Sequence, residues 1–224
     1  MAQFASAAFT GTAFATLQSV DANWSKQTGY TGDLILGSTG AYCIRNDVST
    51  AGVYQHSGSP ASADYTVSAD LTYYSAGSAV PPQMGVCGRM EAAAQTFYFL
   101  TYTHGSNNLR LFKAVAGTLT QLGSSYTVTL ANNTPRSALL RMEGDQISGE
   151  LDGSTVIGPV TDTAITAAGK AGIYGFSMRQ PGVADSGGID NFSADDVGGG
   201  GGSATVSLTG GLTHGTLTKG RLVA

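Results

Sequence analysis

The stretch DYTVSADLTYY, residues 64–74, constrains the fold more than any other part of the chain. It alternates with a period of two, placing Tyr65, Val67, Ala69, Leu71 and Tyr73 on one side and Thr66, Ser68, Asp70 and Thr72 on the other. Successive side chains point to opposite faces only in extended backbone, so this pattern can bury one set and wet the other only as a β-strand. The odd-numbered side chains are expected to face a core, as in a half-buried antiparallel strand.

Other segments of strand length repeat the pattern, each bounded by Gly, Asn, Asp or Ser. TFYFLTYTHGSNNLRLFKAV (96–115) reads as a strand from Thr96 to Thr103, a turn at HGSNN and an antiparallel partner from Leu109 to Val115. Both faces of TFYFLTY carry large groups, which predicts a central strand with the core on one face and a groove or neighbouring loop on the other. RSALLRMEGDQISGELDGSTVIG (136–158) reads as hairpins turning at Glu143-Gly144-Asp145 and at Asp152-Gly153. The second pair is a strong two-residue hairpin signal, because tight hairpin turns need positive φ at both central positions. AAGKAGIYGFS and GGIDNFSA supply the last two strands.

Helical periodicity is nearly absent, and a chain with 12% charged residues and 32 glycines lacks the Glu, Lys and Leu that surface helices need. About a dozen short strands at this spacing predict two stacked antiparallel sheets, a sandwich or jelly roll rather than a small barrel. The 224 residues, 42% of them hydrophobic, suffice for one large β domain or two small ones.

Charge narrows the partners. Eleven basic residues are scattered through a chain of net charge −4, so neither nucleic acid nor an anionic membrane is an expected partner. The opening MAQFASAAFTGTAF has no basic n-region and no uninterrupted apolar stretch, and so reads as neither a signal peptide nor a membrane anchor. Synthesis in the cytoplasm is expected. Cys43 and Cys87 sit in strand-like runs rather than at metal-ligand spacing; they read as buried free thiols, with a disulfide as the alternative. No cofactor is expected.

The end of the chain departs from this pattern. Five glycines, Gly198 to Gly202, precede a segment in which Leu208, Leu212, Leu217 and Leu222 recur every four or five residues, the first three each followed by Thr. Four leucines bury too little surface to offset the entropy of ordering some twenty residues, so the segment is not expected to fold alone. The reading divides the chain into a β domain at 1–196, a Gly-rich linker at 197–202 that lets the body pivot, and a short β tail at 203–224 that anchors or oligomerises through those leucines. A frayed, solvent-facing terminus is the alternative.

The run RMEGDQISGELDG, then GKAGIYGFS, then IDNFSA resembles the C-terminal half of concanavalin A-like lectin/glucanase jelly rolls, laminin-G-like domains included. The likeness extends over about residues 4 to 196. It also resembles versions of that domain in tailed bacteriophages, where the jelly roll is joined to a short Gly-rich terminal segment within the virion. The resemblance implies an all-β, concanavalin A-like jelly-roll sandwich of two antiparallel sheets with a Gly-linked C-terminal tail. It implies a non-catalytic virion protein, a capsid decoration or head-fibre component. The expected partners are other virion proteins, further copies of the chain and cell-surface glycans. A receptor-recognising tail or fibre protein is the runner-up, and an unusual glycoside hydrolase the third reading.

Three kinds of site bear on that resemblance. Laminarinase-type glucanases carry their carboxylates on one strand in an E-x-D-x-E spacing that turns all three into a cleft. Glu143, Asp145 and Glu150 do not reproduce it: Gly144 places Asp145 in a turn, and the odd separation from Asp145 to Glu150 would send them to opposite faces, so they read as a hairpin with solvated carboxylates. His56, His104 and His214 fall beside Gly or Ser in apparent turns and make no catalytic triad, so no catalytic residue is assigned. Relatives in this fold often hold a structural calcium. Asp190, with Asp195 and Asp196 nearby, offers few of the oxygens a hard cation needs and reads instead as pinning the closing strand. No metal ligand is assigned. A sugar would stack on aromatic faces, for which Trp24, Tyr54, Tyr73, Tyr74, Tyr98 and Tyr102 stand as candidates with Arg89 alongside. The candidate ligand-binding set is Trp24, Tyr73, Arg89, Tyr98 and Tyr102, although Trp24 reads first as a core residue at the start of a strand.

Overall fold

Strands are the dominant element of the computed structural model, which describes residues 1–40, 42–45, 50–74, 81–178 and 186–197. The anchoring tail with Leu208, Leu212, Leu217 and Leu222, and the linker beyond Val197, lie outside the described residues. An eight-stranded sheet contains β1 (Gln3–Ala7), β3 (Leu34–Leu36), β4 (Cys43–Arg45), β6 (Tyr65–Tyr73), β11 (Arg136–Glu143), β12 (Gln146–Leu151), β13 (Ser154–Thr161) and β15 (Gly187–Asp196). Its order is β13-β12-β11-β6-β15-β4-β3, with β1 also paired to β15. A seven-stranded sheet, in the order β10-β9-β8-β7-β14-β5-β2, contains β2 (Trp24–Lys26), β5 (Gly52–His56), β7 (Gln83–Met90), β8 (Phe97–Thr103), β9 (Asn108–Val115), β10 (Thr118–Thr127) and β14 (Lys170–Phe176). All strand pairs are antiparallel. A one-turn helix, α1 (Leu17–Val20), is the single α-helix among the described residues.

The core lies between the sheets. Tyr65, Val67, Ala69 and Leu71 of β6 are buried, as their alternation predicts, beside Leu140 and Met142 of β11 and Ile147 of β12. They meet Val86 of β7, Tyr98, Leu100 and Tyr102 of β8, Leu109 and Leu111 of β9 and Ile173 of β14. Large side chains of one sheet sit over glycines of the other. A Cβ on Gly88 would come within 2.3 Å of Met142 Cε, and one on Gly149 within 2.6 Å of Leu100 Cδ1. Close packing of this kind leaves no room for an added methyl without displacing a neighbour.

Turn chemistry follows the sequence. Asp152 and Gly153 join β12 to β13 with φ of +49° and +77°, the positive pair that a two-residue hairpin demands. Gly144 and Asp145 close the β11–β12 hairpin, and the 3₁₀ turn His104–Ser106 joins β8 to β9. The strands number fifteen among the described residues rather than about a dozen. The surplus comes largely from the three-residue strands β2, β3 and β4, too short to show an alternation.

Arg89 is the one fully buried cation among the described residues, with 1% exposure. At the end of β7 its backbone has φ of +49° and its N–H donates to Tyr65 Oη. Its guanidinium donates to the carbonyls of Ala63 (3.0 Å), Ile165 (2.8 Å) and Gly144 (2.8 Å), and Asp64 lies 3.6 Å away. A buried charge is tolerated only when its donors are met this fully. One side chain thus clamps three loops at one end of the sandwich. Replacing it by methionine keeps much of the volume and leaves those carbonyls without their donors. Arg89→Met is expected to destabilise the domain by about 3 kcal/mol or more, since bonds to charged donors are worth roughly 1.5–3 kcal/mol each and are not additive. Urea unfolding reads this directly, and a midpoint unchanged from wild type would contradict the clamp.

Candidate functional site

At its centre the seven-stranded sheet buries apolar side chains on both faces, and only one of those faces meets the other sheet. Register places the outward side chains in rows. One row crosses all seven strands: Gln121, Phe112, Phe99, Cys87, Gly172, Gln55 and Ser25. Beside it runs Arg110, Thr101, Gly85, Tyr174 and Val53, and beyond that Asn108, Thr103, Gln83 and Phe176. On the opposite flank stand Leu119, Ala114 and Phe97. Local sequence sets these faces: in NLRLFKAV, Leu109 and Leu111 turn inward, so Arg110 and Phe112 turn out, and in KAGIYGF the inward Ile173 turns Tyr174 out.

Val53, Cys87, Met90, Phe97, Phe99 and Ala114 form a second buried cluster on this face, with Tyr30, Phe112 and Tyr174 packed half-buried against it. Loops cover one end. Gln27 Nε2 donates to the carbonyls of Glu91 and Ala94 (2.5 and 2.7 Å), Gly117 N donates to Gln95 O (2.9 Å), and the Tyr30 ring lies 6.1 Å from Phe97. Toward the other end the rings of Phe112 and Tyr174 remain partly exposed on either side of Phe99. Centroid separations are 5.2 Å at 17° between planes for Phe112–Phe99 and 5.3 Å at 31° for Phe99–Tyr174. The result is an aromatic pavement of near-parallel rings, offset-stacked along the row, with Phe112 and Tyr174 as its partly exposed ends.

Half-buried polar side chains border that pavement. Tyr174 Oη donates to Gln83 Oε1 (3.4 Å), and Gln55 Nε2 donates to Ser25 Oγ (3.3 Å) while its Oε1 is buried with no partner. Arg110 Nη2 donates to Ser106 Oγ (2.9 Å) and its Nε is buried without an acceptor. Burial pushes the Tyr30 phenol up to about 12, with Cys87 adding to the effect. It pushes Tyr174 well above the usual phenol range, with Tyr30 and Cys87 as smaller causes. Neutral rings flanked by under-used amide and guanidinium groups can stack on the apolar face of a sugar and bond its hydroxyls.

The five side chains first assigned to ligand binding stand elsewhere, and four of them require a correction. Trp24, Arg89, Tyr98 and Tyr102 are each at most 1% exposed. Trp24 opens β2 facing inward, its ring 4.9 Å from Phe192 and 5.2 Å from His56, which makes it the core residue of its alternative reading. Tyr98 and Tyr102 share the inward phase of β8 with Leu100. Tyr98 Oη donates to Asp162 Oδ1 (2.7 Å), and Tyr102 Oη donates to Asn107 Oδ1 (3.2 Å). Tyr73 alone is half-buried, its ring stacked 3.5 Å from His104 at 12°. Of the other tyrosines named with them, Tyr54 is buried and Tyr74 half-buried. The five do not converge, and Phe112, Tyr174, Arg110, Gln55 and Gln83 were missed.

The remaining sequence candidates also find their places. Arg141 Nε donates to Glu150 (2.7 Å) and its Nη1 to Glu143 (3.1 Å), on the outer face of the eight-stranded sheet. Glu143 and Asp145 are exposed, but Glu150 is buried against Arg141 rather than solvated. The neighbouring carboxylates, Glu150 first, raise the Arg141 pKa further. His56 ends β5 inside the core rather than lying in a turn, His104 opens the 3₁₀ turn, and His214 lies outside the described residues. Burial lowers the pKa of both described histidines. Asp190 Oδ1 accepts the Asn191 N–H (2.8 Å) at a bulge in β15, and Asn191 Nδ2 donates to Asp70 (2.8 Å). Burial, with Asp70 opposite, raises the Asp190 pKa. Among the described residues no group of three or more His, Cys, Asp or Glu side chains is placed to hold a metal ion. Cys43 and Cys87 are free and buried, and burial pushes both thiols up.

No protein-family model and no curated protein matches the sequence. Solved structures do match the fold. The chain is similar to the carbohydrate binding module CBM66 from Bacillus subtilis, with 18% identity, 78% of this chain and 96% of that one covered, and a TM-score of 0.60. It is similar to a Bacillus subtilis protein of unknown function with a galectin-like fold, with 9% identity, coverage of 88% and 96%, and a TM-score of 0.60. A third similar structure is the exoplasmic/lumenal domain of VIP36 in its Ca²⁺/Man-bound form, at 14% identity, coverage of 78% and 83%, and a TM-score of 0.56. The fold is a galectin-like, concanavalin A-like β-sandwich. Identities this low carry the architecture and leave the chemistry to the residues themselves.

Proposed function

We propose that the chain is a non-catalytic carbohydrate-binding module that takes a glycan on the outer face of its seven-stranded sheet. The observation that carries this reading is the Phe112–Phe99–Tyr174 pavement, partly exposed and bordered by Gln55, Gln83 and Arg110. Stacking of pyranose faces on such rings, with a few polar groups fixing orientation, is how open sugar sites gain affinity. A likeness in fold to a solved carbohydrate binding module supports the same reading. The non-catalytic part is supported by the carboxylates: Glu143 and Glu150 are both held by Arg141, on the opposite sheet from the pavement.

The setting proposed for this module is a bacteriophage particle, made in the host cytoplasm, where the domain decorates the surface and the tail joins it to other virion proteins or to further copies of itself. Support for the setting comes from the sequence: the resemblance to phage-borne jelly rolls and the leucine repeat after the five glycines.

Screening the purified protein on a glycan array tests the ligand reading. At least one oligosaccharide should be retained, and Phe112→Ala and Tyr174→Ala should each weaken it about tenfold or more while circular dichroism stays that of wild type. Absence of binding to every glycan, or full binding by both variants, would reject the site. Deleting residues 203–224 tests the setting: the domain should stay folded and soluble yet no longer associate with particles, and association undiminished by the deletion would count against it.

A further inference from the structure

Resting on the glycan reading above, we infer that the glycan carries an anionic group, a carboxylate or sulfate, seated on Arg110. The four outward rows of the seven-stranded sheet contain Ser, Thr, Asn, Gln, Gly and apolar residues, with Arg110 as their one charged member among the described residues; Lys170, in the same outward phase of β14 beside Met90, is already bonded to Ser57 O (2.7 Å) and Ser59 Oγ (2.5 Å). Among the described residues the salt bridges of arginines and lysines lie off this face: Lys26 pairs with Asp33, Arg89 with Asp64, Lys113 with Asp162, Arg136 with Asp152, and Arg141 with Glu143 and Glu150. Among the described residues Arg110 has no carboxylate partner: it bonds the neutral Ser106 hydroxyl, and its Nε is buried with no acceptor.

In a chain of net charge −4, a half-buried guanidinium with its fork unfilled is out of character with the rest of the molecule. Its planar donors match the two oxygens of a carboxylate or sulfate, and a charge-assisted pair of this kind is roughly twice as strong as a neutral hydrogen bond. Arg110 also stands in the right place. Phe112 is two residues on along the same face of β9, and Tyr174 shares the Arg110 row three strands away, about 14 Å at ordinary strand spacing. Between them lie Thr101 and Gly85, with a short side chain and none, both buried beneath the larger side chains on either side. Phe112 and Phe99 border that track on one side, and Asn108, Thr103 and Gln83 on the other. An extended sugar chain lying in this track sets its anionic group against Arg110 and a ring against Tyr174.

An array holding neutral, uronic-acid and sulfated oligosaccharides tests the inference, followed by titration calorimetry on the best ligand and on its uncharged form, carboxyl-methylated or desulfated. Wild type should retain charged members only, the class retained naming the group, and neutralising that group should weaken binding at least tenfold. Arg110→Gln should lose the same factor on the charged ligand and nothing on the neutral one; Phe112→Ala should weaken both. If charged and neutral forms bind wild type alike, or if Arg110→Gln weakens both equally, the anion is wrong while the glycan site stands. Failure of every oligosaccharide to bind overturns both readings.

Discussion

A two-layer sandwich can hide one face of each sheet, and the seven-stranded sheet has two faces that avoid water. Its central strands β7 and β8 are buried on both sides, with Leu100 and Val86 turned to the core and Phe99 and Cys87 turned away from it. The apolar outer face requires a cover of its own. Loops around Gln27 and Gln95 supply it at one end, and toward the other Phe112 and Tyr174 fold over Phe99 while keeping part of their own surface in water. Position, half-exposure and aromatic chemistry of the proposed site all follow from this second face.

The two ends of the molecule divide the work differently. Around Arg89 each nitrogen of the guanidinium meets an acceptor, and the charge is spent on tying the segments at Ala63, Gly144 and Ile165 together. Around Arg110 one donor meets the Ser106 hydroxyl and the buried Nε meets no acceptor among the described residues. A buried, saturated cation holds structure, whereas a half-buried, unsaturated one is available to a ligand. The eight-stranded sheet shows the structural pattern again on its outer face, where Arg141 neutralises Glu143 and Glu150.

Much of the architecture is legible in the sequence, because it depends on neighbours along the chain. The phase of DYTVSADLTYY, the Asp152-Gly153 turn and the two-sided bulk of TFYFLTY each specify a strand, a hairpin and a central position from local pattern alone. The site is less legible for a physical reason. Alternation separates the two faces of a strand without saying which one meets the core, so Tyr98 and Tyr102 could stand on either side until the partner sheet fixed the phase. Arg89 belongs to a residue type that is seldom buried, and only the meeting of three distant carbonyls explains its place. Phe112 and Tyr174 lie sixty-two positions apart and come together through β8 and β7. A usable signal existed in NLRLFKAV, where Phe112 stands out of phase with Leu109 and Leu111.

The central claim is that this second apolar face is the binding face. Nuclear magnetic resonance of the isotopically labelled protein, titrated with an oligosaccharide it retains, locates the contact without altering a residue. The account predicts shift changes confined to Arg110, Phe112, Tyr174, Gln83 and their row neighbours. Changes centred instead on Arg141 and the outer face of the eight-stranded sheet, or on the Tyr73–His104 end of the sandwich, would contradict it.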